Sequence, residues 1–88
     1  MLIEVKPFRS GCTSKEQTCK VLEEAAEVFG AWQKYDGELC STYWLEPLAD
    51  EIADVIQAAC NLAYRYGIDV AAAMQRCEAR NRERGRYD

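Results

Sequence analysis

Apolar side chains recur at helical spacing in two stretches of the chain, and capping residues mark a third helix after them, so the sequence predicts three helices. The first helix should begin near residue 14, because Thr13 and Ser14 precede Glu16 and Gln17 by three residues in the pattern of two overlapping capping boxes. It should run to about Tyr35. Its predicted apolar positions are Cys19, Leu22, Ala26, Phe29 and Trp32.

The second predicted helix has the widest apolar face. Pro47 suits its first turn. Gly67 is placed to cap its C-terminus, and Asp69 to cap the N-terminus of a third helix that runs to about Arg84. We expect a loop over residues 36–44. The apolar positions of the second helix are Leu48, Ile52, Val55, Ile56, Ala59, Leu62, Ala63 and Tyr66.

These elements predict an all-α fold, a bundle of three main helices in a single domain over residues 1–88. The first ten residues are expected to be extended, with one short strand. A chain of 88 residues is too short for two cores, and one core of this size is thin, so self-association would bury further apolar surface. The longest apolar run, residues 70–74, is too short to cross a bilayer, and Glu4 interrupts the N-terminal run, so we expect neither a membrane span nor a signal peptide.

Composition narrows the classes of function. The net charge of -4 argues against general nucleic-acid binding. Five cysteines, an odd number without Cys-x-x-Cys spacing, argue against a disulfide scaffold or a zinc cage, so we expect a reduced, cytoplasmic protein. Because the chain has no histidine, any metal site must use oxygen ligands, which favours Mg2+ or Mn2+.

Acidic side chains on the first two helices are spaced so that they can converge. Glu24 and Glu27 are three residues apart on the first helix, and Glu51 and Asp54 are three apart on the second, so each pair shares one helix face. Antiparallel packing of the helices would place the pairs opposite each other, as a site for one or two Mg2+ ions. The alternative is a solvated acidic face, although residues 46–62 contain four acids and no base to balance them.

The C-terminal segment has the opposite sign, with five arginines from Arg76 to Arg86. Arg80 and Arg84 share a helix face, with Asn81 alongside, and a guanidinium can donate two hydrogen bonds to a phosphate. These cations can instead simply complement the dipole of the third helix. Combined with the upstream carboxylates, they favour a magnesium–polyphosphate ligand.

Four aromatic side chains flank the predicted loop: Trp32, Tyr35, Tyr43 and Trp44. We expect them to pack the loop onto the helix pair or to line a dimer interface. Stacking on a nucleobase is the alternative.

The ordered motifs resemble a known family, the MazG-type nucleotide pyrophosphohydrolases of the all-α NTP pyrophosphatase superfamily. Its mark is Glu-Glu-x-x-Glu, followed on the next helix by Glu-x-x-Asp. The resemblance covers roughly residues 13–87 and rests on the segments Leu22-Glu23-Glu24-Ala25-Ala26-Glu27, Leu48-Ala49-Asp50-Glu51-Ile52-Ala53-Asp54-Val55, Tyr66-Gly67-Ile68-Asp69-Val70 and Arg80-Asn81-Arg82-Glu83-Arg84-Gly85.

The resemblance implies a bundle completed as a homodimer or tetramer. It also implies Mg2+-dependent hydrolysis of an NTP or dNTP to the monophosphate and pyrophosphate. The implied metal ligands are Glu24, Glu27, Glu51 and Asp54. Glu23 is implied as an auxiliary acid. Because the chain has no histidine, we expect a metal-bound water, or a water deprotonated by Glu23 or Glu27 as the catalytic base, to attack the triphosphate. The implied substrate contacts are Lys20, Arg80, Asn81 and Arg84.

The chain departs from the family pattern at Cys77, where many relatives carry a lysine. The related phosphoribosyl-ATP pyrophosphatases share the acidic helices, but they typically have glycine where this chain has Leu22, and they are the alternative enzyme. The non-enzymatic alternative is a helical dimerisation module whose acidic face docks a basic partner.

Overall fold

The computed structural model describes residues 1–37 and 45–88, and its regular secondary structure is helical throughout. The helices are α1 (Ser14–Gly37), α2 (Leu45–Arg65) and α3 (Val70–Glu83). The predicted three-helix order is therefore confirmed, with α1 ending two residues later than expected. The remainder of the predicted loop, including Tyr43 and Trp44, lies outside the described residues. None of the described helices is long and apolar enough to cross a membrane.

A reciprocal capping box starts α1, as the sequence predicts. The Thr13 N–H donates to Oε1 of Glu16 at 2.8 Å, and the Glu16 N–H donates to Oγ1 of Thr13 at 3.1 Å. These two bonds satisfy backbone donors that have no partner within the helix. The bond from the Thr13 N–H to the Glu16 carboxylate is the largest cause of the lowered pKa of Glu16, because it favours the ionised form.

The connection from α2 to α3 is a tight turn with a cap on each side. Gly67 has a φ of 63°, a left-handed conformation that suits glycine, and the Ile68 N–H donates back to the Ala63 carbonyl at 3.0 Å. Asp69 then accepts a hydrogen bond from the Ala72 N–H at 3.0 Å and starts α3. Both predicted caps are confirmed.

The helices α1 and α2 run antiparallel, and their contact is the main tertiary contact of the chain. The start of α1 lies beside the end of α2, where Arg65 donates to the Ser14 hydroxyl at 3.3 Å. One turn further along, Gln17 donates through Nε2 to the Ala58 carbonyl at 3.1 Å. The two helices therefore have a fixed register, which decides which side chains face each other further along.

The first residues of the chain lie along α2 without forming a strand, so the strand expectation is wrong. Residues 3–12, here called the N-terminal strap, have no neighbouring strand and bond instead to side chains of α2. Gln57 donates to the Lys6 carbonyl at 3.1 Å, and the Phe8 N–H donates to Oδ1 of Asn61 at 3.0 Å. Arg65 donates to the carbonyls of Ser10 and Cys12.

Gln17 is the most deeply buried large side chain, at 2% exposed. Its Nε2 bonds to α2, while its Oε1 accepts from the Ser10 hydroxyl at 3.3 Å and the Cys12 thiol at 3.5 Å. One amide therefore joins α1, α2 and the strap, and each of its two polar atoms has a partner.

The apolar core of a single chain is very small. Within the described residues, the buried apolar side chains are Ala58 and Ala63, and α3 makes hardly any contact with α1 or α2. The radius of gyration is 15.4 Å, whereas a compact domain of this length would have about 12 Å. Large apolar side chains remain exposed on every helix, including Phe29, Trp32, Ile52, Tyr64 and Met74.

We expect Gln17→Leu to lower the free energy of unfolding by about 1–3 kcal/mol, because it removes bonds that link three segments and leaves buried polar partners unpaired. Gln33→Leu is the matched control, since Gln33 is an exposed glutamine of the same helix. Its effect should stay within about 0.5 kcal/mol. Urea denaturation followed by circular dichroism measures both, and equal effects would contradict the structural role of Gln17.

Candidate metal centre

Three carboxylates from two helices converge on one point. Glu24 extends from α1, and Glu51 and Asp54 extend from adjacent turns of α2. One carboxylate oxygen of each lies within 4.8 Å of the other two. Oxygens that share an octahedral Mg2+ lie about 3–4 Å apart, since each is about 2.1 Å from the ion. A small side-chain movement would therefore bring all three into its coordination shell.

Two oxygens of the cluster are buried without a hydrogen-bond partner. Glu24 and Glu51 are half-buried, and the Oε2 atom of each is shielded from solvent with no donor among residues 1–37 and 45–88. A buried carboxylate oxygen without a donor is energetically costly. A bound cation would supply the missing partner, so this observation favours a metal site over a merely solvated acidic face.

The protonation behaviour of Glu24 and Glu51 reflects the same crowding. Burial is the largest cause of the raised pKa of Glu24, followed by its hydrogen bond with Glu27 and the charges of Glu27, Asp54 and Glu51. The pKa of Glu51 is raised by burial, then by Glu27, Asp54 and Asp50. Glu27 thus lies close enough to interact with both helices' ligand candidates. The structure brings three of the four predicted ligands, Glu24, Glu51 and Asp54, into one cluster, and Glu27 lies beside it. Their role as metal ligands stays a prediction.

A cavity of about 240 Å3 opens beside this cluster and shares Glu24 and Asp54 with it. Lys20 also lines the cavity, one helical turn before Glu24. The nearby Glu23 is exposed on α1. Of the predicted substrate contacts, Lys20 lies next to the carboxylates. Its ammonium forms no salt bridge with an acid in the described part of the chain.

The strap residues around this cavity were not predicted from the sequence. Phe8 and Ser10 of the strap line the cavity together with Gln57 and Asn61 of α2. The available signal was the pair of amide side chains four residues apart on α2, on the same face as Asp54. Nothing in the first ten residues indicated that they would lie against it.

The structure does not bring the predicted contacts of α3 to the carboxylates of the same chain. Arg80 and Arg84 are exposed, and α3 is nearly free of the other helices. Asn81 is half-buried and donates to the Cys77 sulfur at 3.6 Å. The neighbouring Arg82 pairs with Glu78 at 3.3 Å within α3. The substrate roles of Arg80, Asn81 and Arg84 therefore stay predictions.

In comparisons with known proteins, no family model, no curated protein and no solved structure matches the chain. The chemistry of the site follows from its donor set. Carboxylate oxygens from Glu24, Glu27, Glu51 and Asp54 suit a hard divalent cation such as Mg2+ or Mn2+. With Lys20 beside them, the arrangement can bind a cation together with an anionic ligand.

We expect Glu51→Gln to raise the melting temperature of the metal-free protein by a few degrees at neutral pH. The raised pKa means that the folded state holds this proton more tightly than the unfolded state, so stability is lost as the pH rises through the raised value. As the pH falls towards 4.5, the usual pKa of a glutamate, the difference in melting temperature between the variant and the wild type should shrink. Below that pH the Glu51 carboxyl of the wild type is protonated in both the folded and the unfolded state.

Thermal melts in EDTA between pH 4 and pH 8 measure this effect. Glu46→Gln is the control, because Glu46 is an exposed acid in the first turn of α2. A pH-independent gain, or an equal gain in the control, would show that Glu51 is not strained by its acidic neighbours.

Proposed function

We propose that the chain is a Mg2+-dependent nucleoside triphosphate pyrophosphohydrolase, which converts an NTP or dNTP to the monophosphate and pyrophosphate. Mn2+ is an alternative cofactor. The observation that carries the proposal is that Glu24 and Glu51, which converge with Asp54, each have a buried carboxylate oxygen with no donor among residues 1–37 and 45–88. The order of the acidic and basic motifs supports it. Free cysteines fit work in the reducing cytoplasm.

In this proposal Glu24, Glu27, Glu51 and Asp54 would hold the cation. When bound, the cation would neutralise negative charge on the phosphates. Glu23 or Glu27 takes the proton from the attacking water, since a chain without histidine offers carboxylates for this role. Lys20 binds oxygens of the triphosphate at the cavity beside Glu24. The roles of these residues rest on their placement around one cluster.

We further infer that the functional form is a homodimer or a tetramer built from it. A single chain leaves the apolar stripe of α3 uncovered, with Met74 58% exposed and Val70 36% exposed. A second copy would cover this stripe and complete the bundle. It would also supply Arg80, Asn81 and Arg84 from its own α3 to the triphosphate, because α3 hardly contacts the acidic helices of its own chain.

We expect Met74→Glu to dissociate the assembly, because a charge in an apolar interface lacks a partner. Gln75→Glu is the matched control, since it adds the same charge at the next position of α3, where the side chain is also exposed. Light scattering coupled to gel filtration should give at least twice the chain mass of 10.0 kDa for the wild type and the control. A monomeric wild type would contradict the assembly.

We expect millimolar Mg2+ to raise the melting temperature and to permit pyrophosphate release from nucleoside triphosphates. Glu51→Gln should abolish both effects while keeping the helical content, because it removes a ligand without changing the size of the side chain. Glu46→Gln should behave as the wild type. A panel of NTPs, dNTPs and phosphoribosyl-ATP, assayed for released pyrophosphate, tests the reaction and its substrate together.

The outcomes separate the candidate functions. Turnover confined to phosphoribosyl-ATP would assign the chain to the related histidine-synthesis activity. A melting temperature that does not respond to metal, with no turnover of any nucleotide, would reject the enzyme and favour a helical dimerisation module. Retained activity in Glu51→Gln would refute the assignment of the metal ligands.

A further inference from the structure

The cavity beside the metal centre has two chemically different sides. On one side are Glu24, Asp54 and Lys20, the charged groups that the proposed function assigns to the cation and the phosphates. Asn61 lies about two helical turns along α2 from Asp54, and the Phe8 N–H bonds to it, so Phe8 of the strap and the amides of Gln57 and Asn61 line the other side of the cavity. A ligand that spans the cavity would meet charge at one end and an aromatic–amide surface at the other.

The side-chain amides of Gln57 and Asn61 each use one polar atom to bond the strap. The other polar atom of each amide is left to bond a ligand. Nε2 of Gln57 uses both of its hydrogens, one to the Lys6 carbonyl at 3.1 Å and one to Oδ1 of Asn61 at 2.9 Å. Oδ1 of Asn61 accepts this bond and a second one from the Phe8 N–H. Asn61 is therefore left with its Nδ2 as a donor, and Gln57 with its Oε1 as an acceptor.

We propose that this aromatic–amide side of the cavity binds the heterocyclic base of the nucleotide, so that the N-terminal strap is a specificity wall of the active site. The inference rests on the proposed function, because the carboxylates must hold the phosphate end of the same ligand. The remaining donor of Asn61 and the remaining acceptor of Gln57 are chemically complementary to the edge of a base, which offers both kinds of group. Phe8, 55% exposed, supplies a face on which a base can stack.

The size of the cavity favours a base over a larger group. Its volume of about 240 Å3 lies below the roughly 300–1,000 Å3 of pockets that enclose a whole drug-sized ligand. A space of this size is better matched to a single flat heterocycle than to a complete nucleotide. The triphosphate would then extend from the charged side of the cavity, beside Lys20, towards the carboxylate cluster.

Binding of two ligands in the presence of Mg2+ tests the inference without requiring turnover. One is an α,β-methylene nucleoside triphosphate, prepared with each common base, and the other is inorganic tripolyphosphate, which has no base. For the wild type we expect the best nucleotide analogue to bind at least about tenfold more tightly than tripolyphosphate, because a stacked base contributes free energy of binding of this size. Titration calorimetry measures both affinities.

Phe8→Ala should remove this preference and leave the affinity for tripolyphosphate unchanged. Ile3→Ala is the matched control, because Ile3 is a strap residue of similar exposure (61%) that lines a different cavity. Phe8→Tyr, which keeps the ring, should retain the preference. Circular dichroism should show that the three variants keep the helical content of the wild type.

The outcomes distinguish this inference from the proposed function. If neither ligand binds in the presence of Mg2+, the proposed function itself fails. If tripolyphosphate binds but the nucleotide analogues bind no more tightly, the base site is refuted and the metal centre stands. Equal behaviour of Phe8→Ala and Ile3→Ala would also refute the base site, since the cavity would then be a gap that ligands do not enter.

Discussion

The buried amide of Gln17 sets the register on which the rest of the structure depends. It joins α1 to the Ala58 carbonyl of α2, and in an antiparallel pair this contact determines which residues meet further along. Glu24 lies seven residues after Gln17, and Glu51 lies seven residues before Ala58, which is about two helical turns in each case. The contact that fixes the fold therefore also places these carboxylates opposite each other.

This register imposes an electrostatic cost on the metal-free chain. Helix packing brings four acids together, and burial adds to their mutual repulsion, as the raised pKa values of Glu24 and Glu51 show. A sequence selected only for stability would place neutral or basic side chains at these positions. The fold instead tolerates two buried oxygens without donors. Such a conflict between local stability and arrangement is typical of a functional site.

The local features of the fold could be predicted from the sequence because each depends on a few neighbouring residues. The capping box at Thr13 and Glu16, the glycine at 67 and the cap at Asp69 are of this kind. Predicting the acidic cluster required one further assumption, that α1 and α2 pack antiparallel, which a short connection between two helices favours. Spacing alone then placed the carboxylates, since residues three apart share a helix face.

Features that depend on distant contacts could not be predicted in this way. Gln17 looked like part of a second capping box, yet its amide is used to bond α2 and the strap. The sequence predicts that residues 1–10 are extended with one short strand, and nothing in these residues indicates that side chains of α2 bond their backbone. The sequence of α3 likewise does not show what packs against its exposed apolar side chains, Val70 and Met74.

The distribution of charge links the thin core to the candidate site. Residues 23–54 carry nine acids and one base, whereas residues 76–88 carry five arginines and three acids. The acidic helices α1 and α2 hardly contact the basic helix α3 within one chain. The attraction between their opposite charges therefore does not stabilise the single chain. Association of two copies would bury the apolar stripe of α3 and bring positive charge towards the carboxylate cluster. In the proposed homodimer, hydrophobic burial and charge complementarity would thus act together, and the arginines of α3 would lie near the proposed cation site.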